Sequence, residues 1–140
     1  MNPTATPTPI AAILRSRATL IAARILLTLP FWWSGLSKLA NLDAALGEAA
    51  HFGLQPAWLI VAATILVQVG GSALIIAGRL SWLAAGALGV FTAIATLIAH
   101  PFWTLADPMA RFHETNTFLE HVGLIGAFML AAILAEREQA

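Results

Sequence analysis

The chain contains no cysteine, which excludes disulfides, thiol–disulfide exchange and any thiolate-held metal centre. Charge is scarce as well. Only 10% of the 140 residues are Asp, Glu, Lys or Arg, and seven of each sign cancel. The chain therefore has neither the basic field that draws nucleic acid nor an acidic tail. A cleaved leader is not indicated, because MNPTATPTPI has no positive segment ahead of an apolar run; the first membrane helix is expected to act as the insertion signal. No Ser-His-Asp group, paired-carboxylate arrangement or phosphate-cradling glycine loop is visible, so no catalytic residue is assigned.

What is there is hydrocarbon. Hydrophobic residues make up 59% of the chain and mean hydropathy is +0.82, outside the range of soluble domains. The sequence is organised around RILLTLPFWWSGLSKL, from Arg24 to Leu39. At about 100° per residue, Arg24, Thr28, Phe31, Gly35 and Lys38 share one helical face. In so apolar a chain, that stripe is expected to face other helices rather than water.

Residues 1–18 read as a flexible N-terminal tail, with alternating Pro, Thr and Ala followed by a short apolar patch from Ile10 to Leu14. A single membrane domain then covers 19–135. Apolar runs predict spanning helices at about 19–38, 57–78, 82–100 and 117–135, each near the length that crosses a core of about 30 Å. Pro30 predicts a kink in the first, since it frees the carbonyl of Leu26. Between the first two lies a surface helix at about 41–53, ending at Gly53. Phe102 to Asn116 reads as a polar, aromatic loop, and 136–140 as a short charged tail. The fold class is all-α, a polytopic membrane protein with an antiparallel four-helix bundle. Arg15, Arg17, Arg79 and Arg137 share one side with Arg24 nearby, whereas Lys38 and Arg111 lie on the other. The excess of cations predicts that both termini are cytoplasmic.

The polar positions carry two readings each. Stripes of Thr64, Gln68, Gly71 and Ser72, of Gly89, Ala93, Thr96 and His100, and of Glu120, Gly123 and Ala127 could meet the first helix. The plain reading is interhelical packing and hydrogen bonding. Arg24 either snorkels to the near surface or points inward toward Gln68 or a ligand. Lys38 and Glu120, near the same ends of their helices, form an ion pair or stand as separate interfacial charges. His100 and His121, with Glu120 beside them, could bind a metal or haem or hydrogen-bond a quinone carbonyl. No HxxxH or ExxH spacing supports metal or haem, so neither is favoured. Trp33 and Trp103 belong to an interfacial aromatic belt or wall a flat ligand.

The residues FWWSGLSKL (Phe31 to Leu39) after Arg24, QVGGSALIIAGR (Gln68 to Arg79), AHPFW (Ala99 to Trp103) and the final GLIGAFML run are similar to those of the DoxX family of small four-helix membrane proteins, and the resemblance runs from about Ile21 to Leu134. Where relatives carry a glutamate before the glycine pair, this chain has Gln68. The resemblance implies a prokaryotic inner or plasma membrane and, within it, an accessory component of a membrane redox system. Quinone or quinol is the cofactor class it suggests, and a redox-enzyme subunit is the implied partner alongside the bilayer and a homo-oligomer. It also implies an intramembrane pocket of Arg24, Lys38, Gln68 and His100, covered by Trp33 and Trp103 and rimmed by Glu120 and His121. A small-solute transporter or channel unit, or a purely structural membrane protein, is the alternative.

Overall fold

Hydrocarbon offers no water to hydrogen-bond a backbone, so a chain this apolar must satisfy its amides internally. The computed structural model describes residues 6–137, and among them every regular element is helical. α1 (Thr8–Leu14) and α2 (Arg17–Ala40) lead to a short α3 (Leu42–His51). α4 (Ala57–Ile65) continues through a π-helical turn, Leu66–Gly70, into α5 (Gly71–Ala77), forming one 21-residue rod. α6 (Ser81–Ala99) and a 3-10 turn at Phe102–Thr104 precede α7 (Pro108–Arg137). Four of these rods are long and apolar enough to cross a bilayer. The chain is thus an all-α membrane protein with four antiparallel spans in contact with lipid. Residues 17, 78 and 137 lie at one end, the terminal face; the α2–α3 and α6–α7 connections lie at the other, the distal face.

Side chains that compete for backbone donors set the helix starts. Ser16 accepts from the Thr19 amide at 3.1 Å, and the Asn41 side chain accepts from Ala44 at 3.1 Å, each quenching an orphan N–H. Gly78, at φ +70°, ends α5 in the left-handed conformation that glycine adopts without strain.

Two expectations need correction. The expected tail contains a helix from Thr8, with Pro9 in its first turn; residues 1–5 of that tail lie outside the described residues. The fourth span begins at Pro108 rather than near Thr117. There Asp107 Oδ2 accepts from the Ala110 amide at 2.7 Å and Pro108 fits the first turn. Hydropathy reveals only the part of a helix that meets lipid. With 30 residues, or about 45 Å, α7 exceeds a hydrocarbon core of about 30 Å, so its polar first turns stand beyond the bilayer. At its other end, Glu136 and Arg137 still belong to α7, and 138–140 lie outside the described residues.

Three spans meet in an aromatic layer. Phe31 of α2 packs edge-to-face on Phe128 of α7 at 5.2 Å and on Phe91 of α6 at 6.4 Å, with Leu88 and Ile75 completing the buried cluster. Pro30 lies within a helix that runs unbroken from Arg17 to Ala40. Small residues bring the backbones together: a Cβ at Gly35 would sit 2.6 Å from Val69 Cγ2, and one at Gly71 would sit 3.0 Å from Leu88 Cγ. α3 packs Ala45 and Ala49 against Val61, and Lys38 Nζ donates to Glu48 Oε2 at 2.7 Å, tying α3 to the end of α2.

The expected stripe on the fourth helix is corrected as well. Glu120 and Gly123 are exposed, and the inward face carries Phe128 and Ala135.

Gly35→Ala is expected to destabilise the bundle by about 1–3 kcal/mol through overpacking against Val69. Gly47→Ala, in open space on α3, is expected to be neutral or stabilising by up to about 1 kcal/mol. Thermal unfolding in one detergent, followed by circular dichroism, checks both.

Candidate functional site

The residues expected to line one pocket lie at different depths. Arg24 belongs to the terminal face: a Cβ at Gly78 would lie 2.6 Å from Arg24 Nη1. The guanidinium thus sits over the C-terminal cap of α5, where a cation also meets the negative end of a helix dipole. Gln68 packs against Gly35, its Cβ 3.2 Å from the position a Cβ there would take. Gly35 is 11 residues from Arg24 along α2, or about 16 Å, so Arg24 and Gln68 do not meet. Gln68 is 6% exposed and its Oε1 has no hydrogen-bond partner among the described residues, while its backbone oxygen accepts from Ser72 Oγ at 2.6 Å.

The other expected residues are distal, and they too are divided. Lys38 pairs with Glu48 rather than Glu120, and Glu120 points outward. Trp33 is 66% and Trp103 53% exposed; the first packs on Trp32, the second on Phe102 and Phe118. Both belong to the outer surface of the bundle, as belt tryptophans do.

His100 and His121 are brought together, with ring centres 5.0 Å apart and planes at 73°. His100 Nδ1 lies 2.7 Å from Glu114 Oε2, and His121 Nδ1 lies 2.9 Å from Thr96 Oγ1. The extension of α7 to Pro108 explains Glu114, which reading the sequence missed. Steps of four, three, four and three from Glu114 reach Phe118, His121, Ile125 and Phe128, one helical face. An Asp-Pro pair ahead of the polar stretch was the available signal.

The hydrogen bonds fix which nitrogen carries the proton. Thr96 Oγ1 donates its single hydrogen to the Thr92 carbonyl at 2.6 Å, so toward His121 it can only accept. His121 Nδ1 must therefore be the donor. The Glu114 carboxylate accepts from His100 Nδ1 in the same way. Both rings are held from one side, leaving both Nε2 atoms without a hydrogen bond to the described residues.

Beside this cluster lies a groove of about 440 Å³ lined by Phe52, Ile98, Ala99, Pro101, Leu105, Ala110, His113 and Glu114. Its walls come from the end of α3, the end of α6 and the protruding turns of α7. It combines apolar surface with a carboxylate and an imidazole, as small-molecule sites do. His113 and Phe52 were also not singled out from the sequence as pocket residues: His113 fell in the stretch read as loop, and Phe52 at the end of the expected surface helix.

The family model described as DoxX matches residues 19–101, more than half of the chain. The match covers the first three spans, including Gln68 and His100, and stops before α7. No curated protein and no solved structure matches the chain.

Thr96→Val removes the acceptor that orients His121 and is expected to cost about 1–3 kcal/mol if the imidazole N–H stays buried without a partner. Nitrogen-15 NMR of histidine-labelled protein is expected to show the Nδ1–H form for both His100 and His121 in the parent chain when neutral, and loss of that preference at His121 alone in the variant.

Proposed function

The chain belongs to the DoxX family, and from that premise we propose that it is an accessory component of a membrane redox system that binds a quinone or quinol headgroup at its distal face. The observation that carries this reading is the groove beside Glu114. Its volume of about 440 Å³ lies within the range of about 300–1,000 Å³ usual for small-molecule pockets. Ile98, Pro101 and Leu105 offer apolar surface to a ring, and His113 and Glu114 offer the polar handles that a ring with two oxygens needs.

In this reading, the Glu114 carboxylate accepts from a quinol hydroxyl, and a His113 N–H donates to a quinone carbonyl. His100 holds Glu114 in position from behind. Electrons pass to or from a partner enzyme, with this chain supplying binding, orientation and a proton acceptor near the surface. The pocket is thereby moved from the depth of Gln68 to the distal interface. The close approach of Gln68 to Gly35 favours packing as the role of the mid-membrane polar positions, and Arg24 serves the terminal face.

Both termini are placed in the cytoplasm, with the distal groove on the opposite side of a prokaryotic inner membrane. The support is the clustering of Arg15, Arg17, Arg24, Arg79 and Arg137 at the terminal face, against Lys38 and Arg111 at the distal one.

A photoreactive quinone added to the protein in nanodiscs is expected to label the groove between 98 and 114. Glu114→Gln should cut labelling at least tenfold, and Arg24→Met should leave it unchanged. Labelling spread evenly over lipid-facing residues, or indifferent to Glu114, overturns the reading. Because the chain lacks cysteine, topology can be read with single introduced thiols. A membrane-impermeant maleimide applied to intact cells is expected to label Ala106→Cys and not Arg79→Cys.

A further inference from the structure

We propose that His100 and His121 form a binding site for a divalent late transition-metal ion, of the zinc or cobalt class, through their two Nε2 atoms. The inference does not rest on the quinone reading, although His100 serves both.

Three observations combine. The first is spacing. With metal–nitrogen bonds of about 2.0–2.1 Å and a ring centre about 1.1–1.2 Å behind each nitrogen, two imidazoles on one tetrahedral ion have ring centres about 5 Å apart. The centres of His100 and His121 are 5.0 Å apart. The second is protonation. Each Nδ1 is committed as a donor, to Glu114 or to Thr96, so in the neutral ring the lone pair lies on Nε2, the atom a metal needs. Simple edge-to-face packing of two rings does not require both protons to be fixed on the same side. The third is the partner of His100. A carboxylate holding the far nitrogen of a histidine is the arrangement that orients metal ligands and raises their basicity.

The donor set decides the ion. Two imidazole nitrogens suit zinc, cobalt, nickel or copper rather than magnesium or calcium. Among the described residues no group of three His, Cys, Asp or Glu side chains converges, so the protein supplies two ligands and leaves the other positions to water or to an incoming oxygen ligand. The site is therefore open and exchangeable, unlike a closed structural centre. Its place at the distal ends of α6 and α7, where Glu114 and His113 also border the groove, gives an ion a route from the aqueous side.

The test is titration of the full-length, chelator-treated protein in nanodiscs with Co²⁺, read by visible absorption, followed by displacement with Zn²⁺. One equivalent per chain is expected, with the bands of a low-symmetry, nitrogen-bound ion. His100→Gln and His121→Gln should each weaken binding at least tenfold. Glu114→Gln should weaken it about 10- to 100-fold, as loss of a carboxylate partner does. His51→Gln should leave binding unchanged, and circular dichroism with thermal unfolding confirms that each variant folds. Binding that survives loss of both His100 and His121, binding that vanishes with His51, or no binding at all overturns the site. A chain that loads Co²⁺ but never takes up quinone refutes the quinone reading alone; one that takes up quinone but no metal refutes this site alone.

Discussion

Hydrocarbon offers a polar group no water, so the bundle must supply most of its own hydrogen-bond partners, and much of the structure follows from that demand. Among the described residues, four of the five buried hydroxyls meet it locally: Thr28, Ser72, Thr92 and Thr96 each donate to the carbonyl one turn earlier, at 2.6–2.8 Å, while Ser81 Oγ, like Gln68 Oε1, has no partner there. Such bonds let polar residues line helix contacts without partners on other helices. They also use up the hydroxyl proton, which turns each oxygen into an acceptor only. At Thr96 this has a chemical effect, because His121 is then obliged to donate from Nδ1 and to present Nε2. A packing solution on α6 thereby sets the protonation of a ring on α7.

The aromatic layer of Phe31, Phe91 and Phe128 divides the polar residues into two groups. Arg24 is seven residues to one side of Phe31, about 10 Å along the helix, and sits over Gly78 at the terminal face. Gln68, Thr96, His121 and His100 lie on the other side. Charge in hydrocarbon costs about 2.5–3.5 kcal/mol even on the mildest scales, so the bundle keeps the Arg24 guanidinium toward one end and the His100–Glu114–His121 cluster toward the other. The stripe running from Arg24 to Lys38 is thus a single helical face that serves three depths. Arg24 meets the α5 cap, Phe31 and Gly35 meet the packed interior, and Lys38 meets Glu48 on the distal surface.

The spans, their order and the antiparallel arrangement were legible because hydropathy and length report contact with lipid. Ends were legible where a glycine or a capping side chain marks them, as at Gly53 and Gly78. What hydropathy does not report is helix outside the bilayer, and this hid the first turns of α7 and with them Glu114. It also cannot give rotation about an axis. Glu120 and His121 are adjacent in sequence, yet one faces outward and the other meets His100. Tertiary packing through Phe128 decides between them. The pairing of Lys38 with Glu48 was missed for a related reason. A charge near a helix end was matched to another span, whereas the nearest carboxylate lies on the short helix that follows directly.

The distal site is built from two unlike halves. α6 and its end supply Thr96, Ile98, His100 and Pro101, all within residues 19–101 that match the family model; α7 supplies Glu114, His113 and His121 beyond it. The matched half provides the rod, the hydroxyl that fixes a tautomer and one imidazole. The other half provides the carboxylate, the second imidazole and the polar wall of the groove. The family match therefore covers the rod and His100, while the chemistry at the groove depends on the register of α7. That register is held at two points: by Phe128 against Phe31 at 5.2 Å and by the Asp107 cap at the helix start. Between these points α7 has 20 residues from Pro108 to Ala127. A helix held at both ends keeps Glu114 and His121 on one face, seven residues or about two turns apart, and this spacing lets one α6 terminus engage both.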